Sequence, residues 1–482
     1  MKKFFEKHDL FKVVSIFMVI TALLTWILRY SVFQNGSLMT FDETVKGLPS
    51  IMDTSTIGVF DFNTYFLLVL YYFTNVFVFV LVVYAFYKAL GKSRYYNALT
   101  EKVANLFKGK EVIFAGISMF LYAAIASVVN DFIITLVFIP FSISVFAKLK
   151  TDKISTLAST FGGVLIGVLG ATYSDKIIGS IINYGQIGIK YGNEIAGVII
   201  LSVIAYVVLM LLVASRMNSK DKMELVEDKF IDVEETKKKK NLNVIPTSIV
   251  LVIASVVTLI AFMPWTTWNV SVFTDLHEKI TNATLFGATY PIVFIGSSTL
   301  GAFGTWDLFT LGSFLAIVLF VLKFIANIKL DDLIEGIGEG LKIAIKPAVL
   351  LAMIYAILVF SVSYPVLPSV INWLNTTFAA DWIRPLNWVL ASFTTSVFTV
   401  DMQYTASVIG GLYSTFANES VVAVALQAGY SIAAFAAPTS AMLMLGLSTL
   451  DIKLKDYYKF IWKFLVALFV ITLIVLYILL YI

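Results

Sequence analysis

Residues 433–450 read AAFAAPTSAMLMLGLSTL. The stretch is apolar enough to lie in a bilayer, yet Pro438-Thr439-Ser440 interrupts it near the middle. Proline removes a backbone donor and breaks a helix, and in hydrocarbon every backbone group needs a partner. The break therefore predicts a discontinuous helix whose freed carbonyls and hydroxyls face a ligand or ion rather than lipid.

The rest of the chain supports a membrane setting. Hydrophobic residues make up 59% and charged residues 14%, with a mean hydropathy of +0.89. A soluble domain carries about 25% charged residues, so the composition specifies an all-α polytopic membrane protein with no long soluble domain. The first apolar run, Leu10 to Tyr30, is too long for a signal peptide's core, and no small-residue cleavage site follows it, so it reads as a transmembrane helix. Cysteine is absent, which excludes disulfides and thiolate metal sites. The net charge of +4 comes from short loops and speaks for a positive-inside bias, not for nucleic acid.

A span needs ~20 apolar residues. Candidates lie near 11–30, 63–88, 112–128, 131–147, 156–173, 194–215, 245–263, 308–328, 343–363, 386–400, 402–416, 420–437 and 457–481, and 366–386 has room for a further short helix. Lys and Arg concentrate in 2–12, 88–110, 148–153, 216–240, 323–346 and 453–459, whereas the 31–62 and 264–307 loops are poor in them. This places the N-terminus and the charged 216–244 linker in the cytoplasm. The linker, with its run Lys237–Lys240, reads first as a solvated connector, with lipid contact as the minor alternative.

The linker divides two halves that look alike. IGVFDFNTYFLLVLYYF (57–73) resembles LGAFGTWDLFTLGSF (300–314), and KEVIFAGISMFLYAAI (110–125) resembles IKPAVLLAMIYAI (345–357). GGVLIGVLGATYS (162–174) set against AGYSIAAFAAPTS (428–440) matches Gly163 with Gly429, Ile166 with Ile432, Ala171 with Ala437 and Ser174 with Ser440. A second break precedes each, SVVNDF (127–132) and SVFTVDM (396–402). Paired interruptions at corresponding places point to the binding site of a secondary transporter built on two repeats. The first repeat is 1–215, with scaffold helices in 11–110 and transport elements in about 112–193. The second is 245–482, with scaffold helices in 245–363 and transport elements in about 386–456. Charge alone leaves the second repeat's orientation open.

Asp131 and Asp401 stand at the turns of two short apolar hairpins. One reading makes each a turn cap at the water interface. The other makes them unpaired carboxylates suited to a cationic substrate, Na⁺ or a proton. No Lys or Arg is evident at a comparable depth, since Asp175 and Lys176 are placed to pair with each other. Asn130, Thr172, Ser174, Thr399, Gln403, Thr405, Thr439 and Ser440 surround the breaks with hard oxygen donors, and a Na⁺ near Asn130, Thr172 and Thr439 is one coupling option. The run Gly162, Gly163, Gly167, Gly170 suits close helix packing. Enzyme chemistry is thin. His8 and His277 lie outside the spans, and HExxH, GxxxxGK[ST] and GxSxG are absent, so neither catalysis nor a cofactor is expected.

APTSAMLMLGLSTLDIKLKDYYKFIWKF (437–464) resembles the C-terminal signature of the C4-dicarboxylate anaerobic carrier-like family. That family includes proteins regarded as basic amino acid antiporters, within the ion transporter superfamily. The resemblance implies a scaffold and a transport domain with two re-entrant hairpins and two broken helices, homodimerisation through the scaffold, and elevator movement. Pro438, Thr439 and Ser440 match the second unwound helix, and Ala171-Thr172-Tyr173-Ser174 the first, where relatives have Asn-Pro-Phe-Thr. Asn130-Asp131 falls where relatives carry paired glutamates, and Asp401-Met402-Gln403 where they carry a Ser-Gly-Ser-Gly-Gln tip, of which Gln403 is kept.

The expected function is secondary active transport of a small polar metabolite across a bacterial cell membrane. The substrate class is an amino acid, basic or zwitterionic, or a short peptide, coupled to Na⁺, H⁺ or exchange. A C4-dicarboxylate carrier is the alternative, weakened by the lack of a buried Arg. A channel is disfavoured because no filter sequence or Arg-rich sensor helix occurs.

Overall fold

The computed structural model describes residues 9–28, 30–34, 37–40, 57–189, 192–219, 224–232, 242–282, 301–413 and 419–481. His8, Lys237–Lys240, and residues 41–56 and 283–300 of the two cation-poor loops lie outside the described residues. Among those described, nine helices are long and apolar enough to cross a membrane.

Helix α1 (Asp9–Ile27) leads into a two-stranded antiparallel ribbon, β1 (Ser31–Gln34) and β2 (Ser37–Thr40). Then come α2 (Asp61–Gly91) and the amphipathic α3 (Arg94–Phe107). Helix α4 (Glu111–Val128), a 3₁₀ turn (Phe132–Val137) and α5 (Ile139–Lys148) make the first hairpin. Helix α6 (Lys153–Leu169) contains a π turn at Ala158–Gly162 and stops before Gly170. The chain coils again at Asp175–Gly179, leading into the short α7 (Ser180–Asn183), and α8 (Asn193–Met217) ends the first half.

The second half begins with α9 (Ile245–Phe262), the exposed α10 (Val272–Thr281) and α11 (Leu308–Ile325). Helix α12 (Leu330–Ser363) carries Pro347 in its interior, and the room for a short helix in 366–386 is filled by α13 (Leu367–Thr377). A second hairpin follows, α14 (Arg384–Phe398) and α15 (Met402–Tyr413). A second interrupted helix is split into α16 (Glu419–Ala436) and α17 (Ala441–Thr449), and α18 (Leu454–Tyr481) closes the fold. Each half thus carries a hairpin and then an interrupted helix. The likeness of 110–125 to 345–357 does not reflect equivalent places. The first is an arm of the first hairpin, whereas the second is the far half of α12.

The two hairpins enter from opposite faces. The open end of the first lies beside α3, where Lys148 Nζ donates to Asn97 Oδ1 at 2.5 Å. The open end of the second lies beside the far ends of α7 and α18. There a Cβ at Gly410 would come within 2.3 Å of Gly185 O, and Tyr477 Oη donates to Trp382 O at 2.6 Å.

Small residues set the packing distances. Helix α6 lies against α4 so closely that a Cβ at Gly167 would meet Ala123 O at 2.4 Å, and one at Gly163 would meet Met119 O at 2.8 Å. At the matching place α16 lies against α14, where a Cβ on Gly429 would meet Val389 O at 2.7 Å. Helices α2 and α12 run antiparallel and touch at Gly336 and Gly340, each 2.6 Å by the same measure from Ala89 and Ala85. Without a hydrophobic drive between helices in lipid, such backbone approach is a main source of association. The 420–449 stretch is the most enclosed of the candidate spans, with 94% of its apolar window buried, against 28% for α1, α8, α9 and α18.

Gly167→Leu is expected to lower the thermal midpoint of the detergent-purified protein, at a cost of about 1–3 kcal/mol for overpacking. Gly338→Ala, where nothing lies within 4 Å, is the matched control and leaves the midpoint unchanged or slightly raised.

Candidate functional site

Both hairpin tips end in an extended turn closed by an aspartate. Asp131 accepts from Ile133 N at 3.0 Å, and Asp401 accepts from Tyr404 N at 2.8 Å. Each therefore caps the helix that follows it. Each also lines one cavity of about 180 Å³, so the turn-cap reading and the cavity-carboxylate reading are both realised.

Four irregular segments converge on that cavity. The tips contribute Asp131–Ile133 and Thr399–Met402, and the breaks contribute Lys176 on one side and Thr439–Met442 on the other. Tyr430 and Ala434 of α16 add to this wall. The opposite wall is formed by Tyr72, Phe73, Asn75 and Val76 of α2 and by Leu351, Ile354, Tyr355 and Leu358 of α12. Phe73 and Tyr355 stack there, with ring centroids 4.2 Å apart. The cavity thus lies between the hairpin bundle and the α2/α12 pair.

Both breaks are held by side chains from other elements. Side chains take up several of the carbonyls that the breaks free. Gln427 Nε2 donates to Leu169 O and Ala171 O, each at 2.9 Å, and to Val168 O at 3.2 Å, while Ser202 Oγ donates to Ile166 O. At the second break, Tyr457 Oη donates to Phe435 O at 2.7 Å and Tyr458 Oη to Ala436 O at 2.6 Å. A threonine in each break also binds its hairpin. Thr172 N and Oγ1 donate to Ser127 O, and Thr439 Oγ1 donates to Val397 O at 2.7 Å. Ser127 and Val397 lie at equivalent places, each one turn ahead of its hairpin aspartate.

The residues singled out by sequence therefore separate. Asp131, Asp401, Thr439 and Ser440 line the cavity. Asn130, Thr172, Ser174, Gln403 and Pro438 do not. Asn130 binds the hairpin to α9 and its neighbouring loop, donating from N to Phe262 O at 2.8 Å and from Nδ2 to Gly304 O at 3.0 Å. Ser174 Oγ donates to Asn130 O, and Gln403 is exposed. Asn130, Thr172 and Thr439, named together as a sodium option, each donate to a backbone carbonyl.

Lys176 is a cavity-lining residue that sequence reasoning set aside. It does not pair with Asp175. No ion pair involving it occurs within 4.0 Å among the described residues, and it lines the same cavity as both aspartates. Its position two residues past a break, beside the Asp131 tip, was the available signal. Thr399 was noticed only as part of a cluster, yet its Oγ1 is buried in the cavity wall without a partner, the residue being 3% exposed. The aromatic wall from α2 and α12 gave no sequence signal beyond ordinary membrane-helix composition.

No family model matches the sequence, and no curated protein matches it. Among solved structures the chain is similar to the YdaH transporter of Alcanivorax borkumensis, whose topology is described as unusual. The identity is 11%, 96% of each chain is covered, and the TM-score is 0.43.

Gln427→Leu strips the first break of the amide that serves three buried carbonyls. Leaving them unsatisfied costs about 1–3 kcal/mol, so the thermal midpoint is expected to fall. An unchanged midpoint would show that the break does not depend on this bond set.

Proposed function

We propose that the chain is a secondary active transporter of a small polar metabolite bearing a cationic group, in the class of basic or zwitterionic amino acids. The observation that carries this reading is the meeting of two hairpin tips and two helix breaks in one cavity between two helical bundles. Irregular backbone at membrane depth is sustained only where protein or a water-lined site surrounds it, and a carrier's substrate site at such a junction is reachable from either side in turn.

In this reading the hairpin bundle (α4–α8 and α14–α18) is the transport domain, and α2, α12 and their neighbours are the scaffold. The hairpins close over substrate, and the bundle then slides along the α2/α12 wall as an elevator, with dimerisation through the scaffold. Coupling by Na⁺, H⁺ or exchange stays within the proposal. The end of the molecule bearing Lys88, Lys92, Lys148, Lys153, Arg216 and Lys346 faces the cytoplasm of a bacterial cell. Helix α1 then starts at the cytoplasmic side. The dicarboxylate alternative gains a cation in Lys176, but two carboxylates against one ammonium repel a dianion.

Thermal stabilisation across arginine, ornithine, lysine, glutamate, succinate and dipeptides, each with Na⁺ or K⁺ at two pH values, tests the assignment. A ligand at ~100 times its Kd stabilises by about 2.7 kcal/mol. Basic amino acids are expected to raise the midpoint, and Asp401→Asn to abolish the shift. A shift with succinate that survives Asp401→Asn would reverse the assignment in favour of a dicarboxylate.

A further inference from the structure

The charges in the cavity are unequal and unspent. Asp131 and Asp401 face one basic residue, Lys176, whose backbone is pinned to the first hairpin tip by the bond from Lys176 N to Asn130 O at 3.1 Å. The ammonium lines the same cavity as both carboxylates and approaches neither within 4.0 Å. Thr399 Oγ1 is buried in the same wall with no partner. The first residues of α17, Ala441 and Met442, also line the cavity, and a helix N-terminus favours negative charge.

We propose that Lys176, with the N-terminus of α17, is the carboxylate subsite of this cavity, and that the ligand is a single basic α-amino acid. This rests on the carrier reading and narrows it. The ligand's two cationic groups answer Asp131 and Asp401, its one carboxylate answers Lys176, and Thr399 Oγ1 gains the partner it lacks. Such a ligand neutralises every unspent charge, which a polyamine or a dicarboxylate does not.

The test is counterflow in proteoliposomes with arginine and with agmatine, which keeps the guanidinium and chain but has no carboxylate. The wild-type protein is expected to exchange arginine and to disfavour agmatine by about tenfold or more, the worth of one charge-assisted hydrogen bond. Lys176→Met loses the preference and Lys176→Arg keeps it. Lys176 is exposed to the cavity, so the substitution leaves core packing intact, which elution profile and thermal midpoint verify. Equal exchange of arginine and agmatine by the wild type overturns the subsite but leaves a cation carrier standing. Exchange of succinate and of neither cation overturns the cationic-substrate assignment on which the subsite rests.

A second observation is independent of the cavity. The Glu224–Asp232 segment crosses from one bundle to the other at the cation-rich end. On the hairpin bundle it forms a bridge to the α5–α6 turn, with Lys153 N donating to Glu224 O at 2.9 Å and Val226 N to Thr151 O at 3.0 Å. Lys229 Nζ reaches Thr449 O at 2.9 Å and pairs with Asp451. On the scaffold, Phe230 is fully buried against Tyr84 and Tyr87, and Asp232 pairs with Lys88 and, at 3.0 Å, with Lys92. A Cβ at Gly91 would overlap Phe230 O at 1.8 Å, so the strap lies directly on the α2 backbone.

We infer that this strap is a latch: Phe230–Asp232 must peel from α2 before the hairpin bundle can slide. The chain has no cysteine, so introduced pairs report cleanly. A cleavable thiol cross-linker across Lys92→Cys/Asp232→Cys is expected to arrest exchange, and cleavage to restore it. Tyr84→Cys/Thr449→Cys joins the bundles directly, at the Tyr84–Thr449 hydrogen bond. If that link arrests exchange and the strap link does not, the latch is wrong and sliding stands. If neither arrests exchange, sliding itself is wrong.

Discussion

The structure depends on how four interruptions of helix are kept satisfied away from water. A freed carbonyl in hydrocarbon costs several kcal/mol, and here side chains remove that cost. Gln427 of α16 serves the break after α6, Tyr457 and Tyr458 of α18 serve the break after α16, and a threonine in each break binds its hairpin. The first break is held from the second half of the chain, so the first half is not complete alone. Among the side chains that line the cavity are two aspartates, one lysine and one threonine hydroxyl without a partner.

Packing follows from the same constraint. For Thr172 and Thr439 to reach carbonyls on the hairpins, the interrupted helices must lie at near-contact distance from the hairpin arms. Gly163, Gly167 and Gly429 allow that approach. The glycine pair on α12 does the same against α2 and gives the bundle a narrow backing wall. The cavity is the space left where two close-packed units meet.

Much of this was legible in sequence because it rests on local chemistry. Pro438 ends a helix by removing a donor. The Gly163/Gly429 match marks equal helix contacts, and Asp131 and Asp401 mark the tips. What sequence hid was partnership across distance. Nothing local shows that Gln427 would occupy the break's carbonyls, or that Asn130 and Ser174 would bind backbone instead of ligand. Lys176 was assigned to its neighbour Asp175 because adjacency is all a sequence displays. The turn at the break instead brings it to the opposite aspartates. The likeness of 110–125 to 345–357 misled because membrane helices of similar composition look alike wherever they sit.

The central claim is that both hairpin tips close one substrate site. Single cysteines at Ile133 and Val400, one per tip and both lining the cavity, can be labelled with a membrane-impermeant thiol reagent in the otherwise cysteine-free chain. The account predicts that one substrate protects both positions with the same concentration dependence. Protection of one tip with the other unaffected at saturating substrate would contradict it.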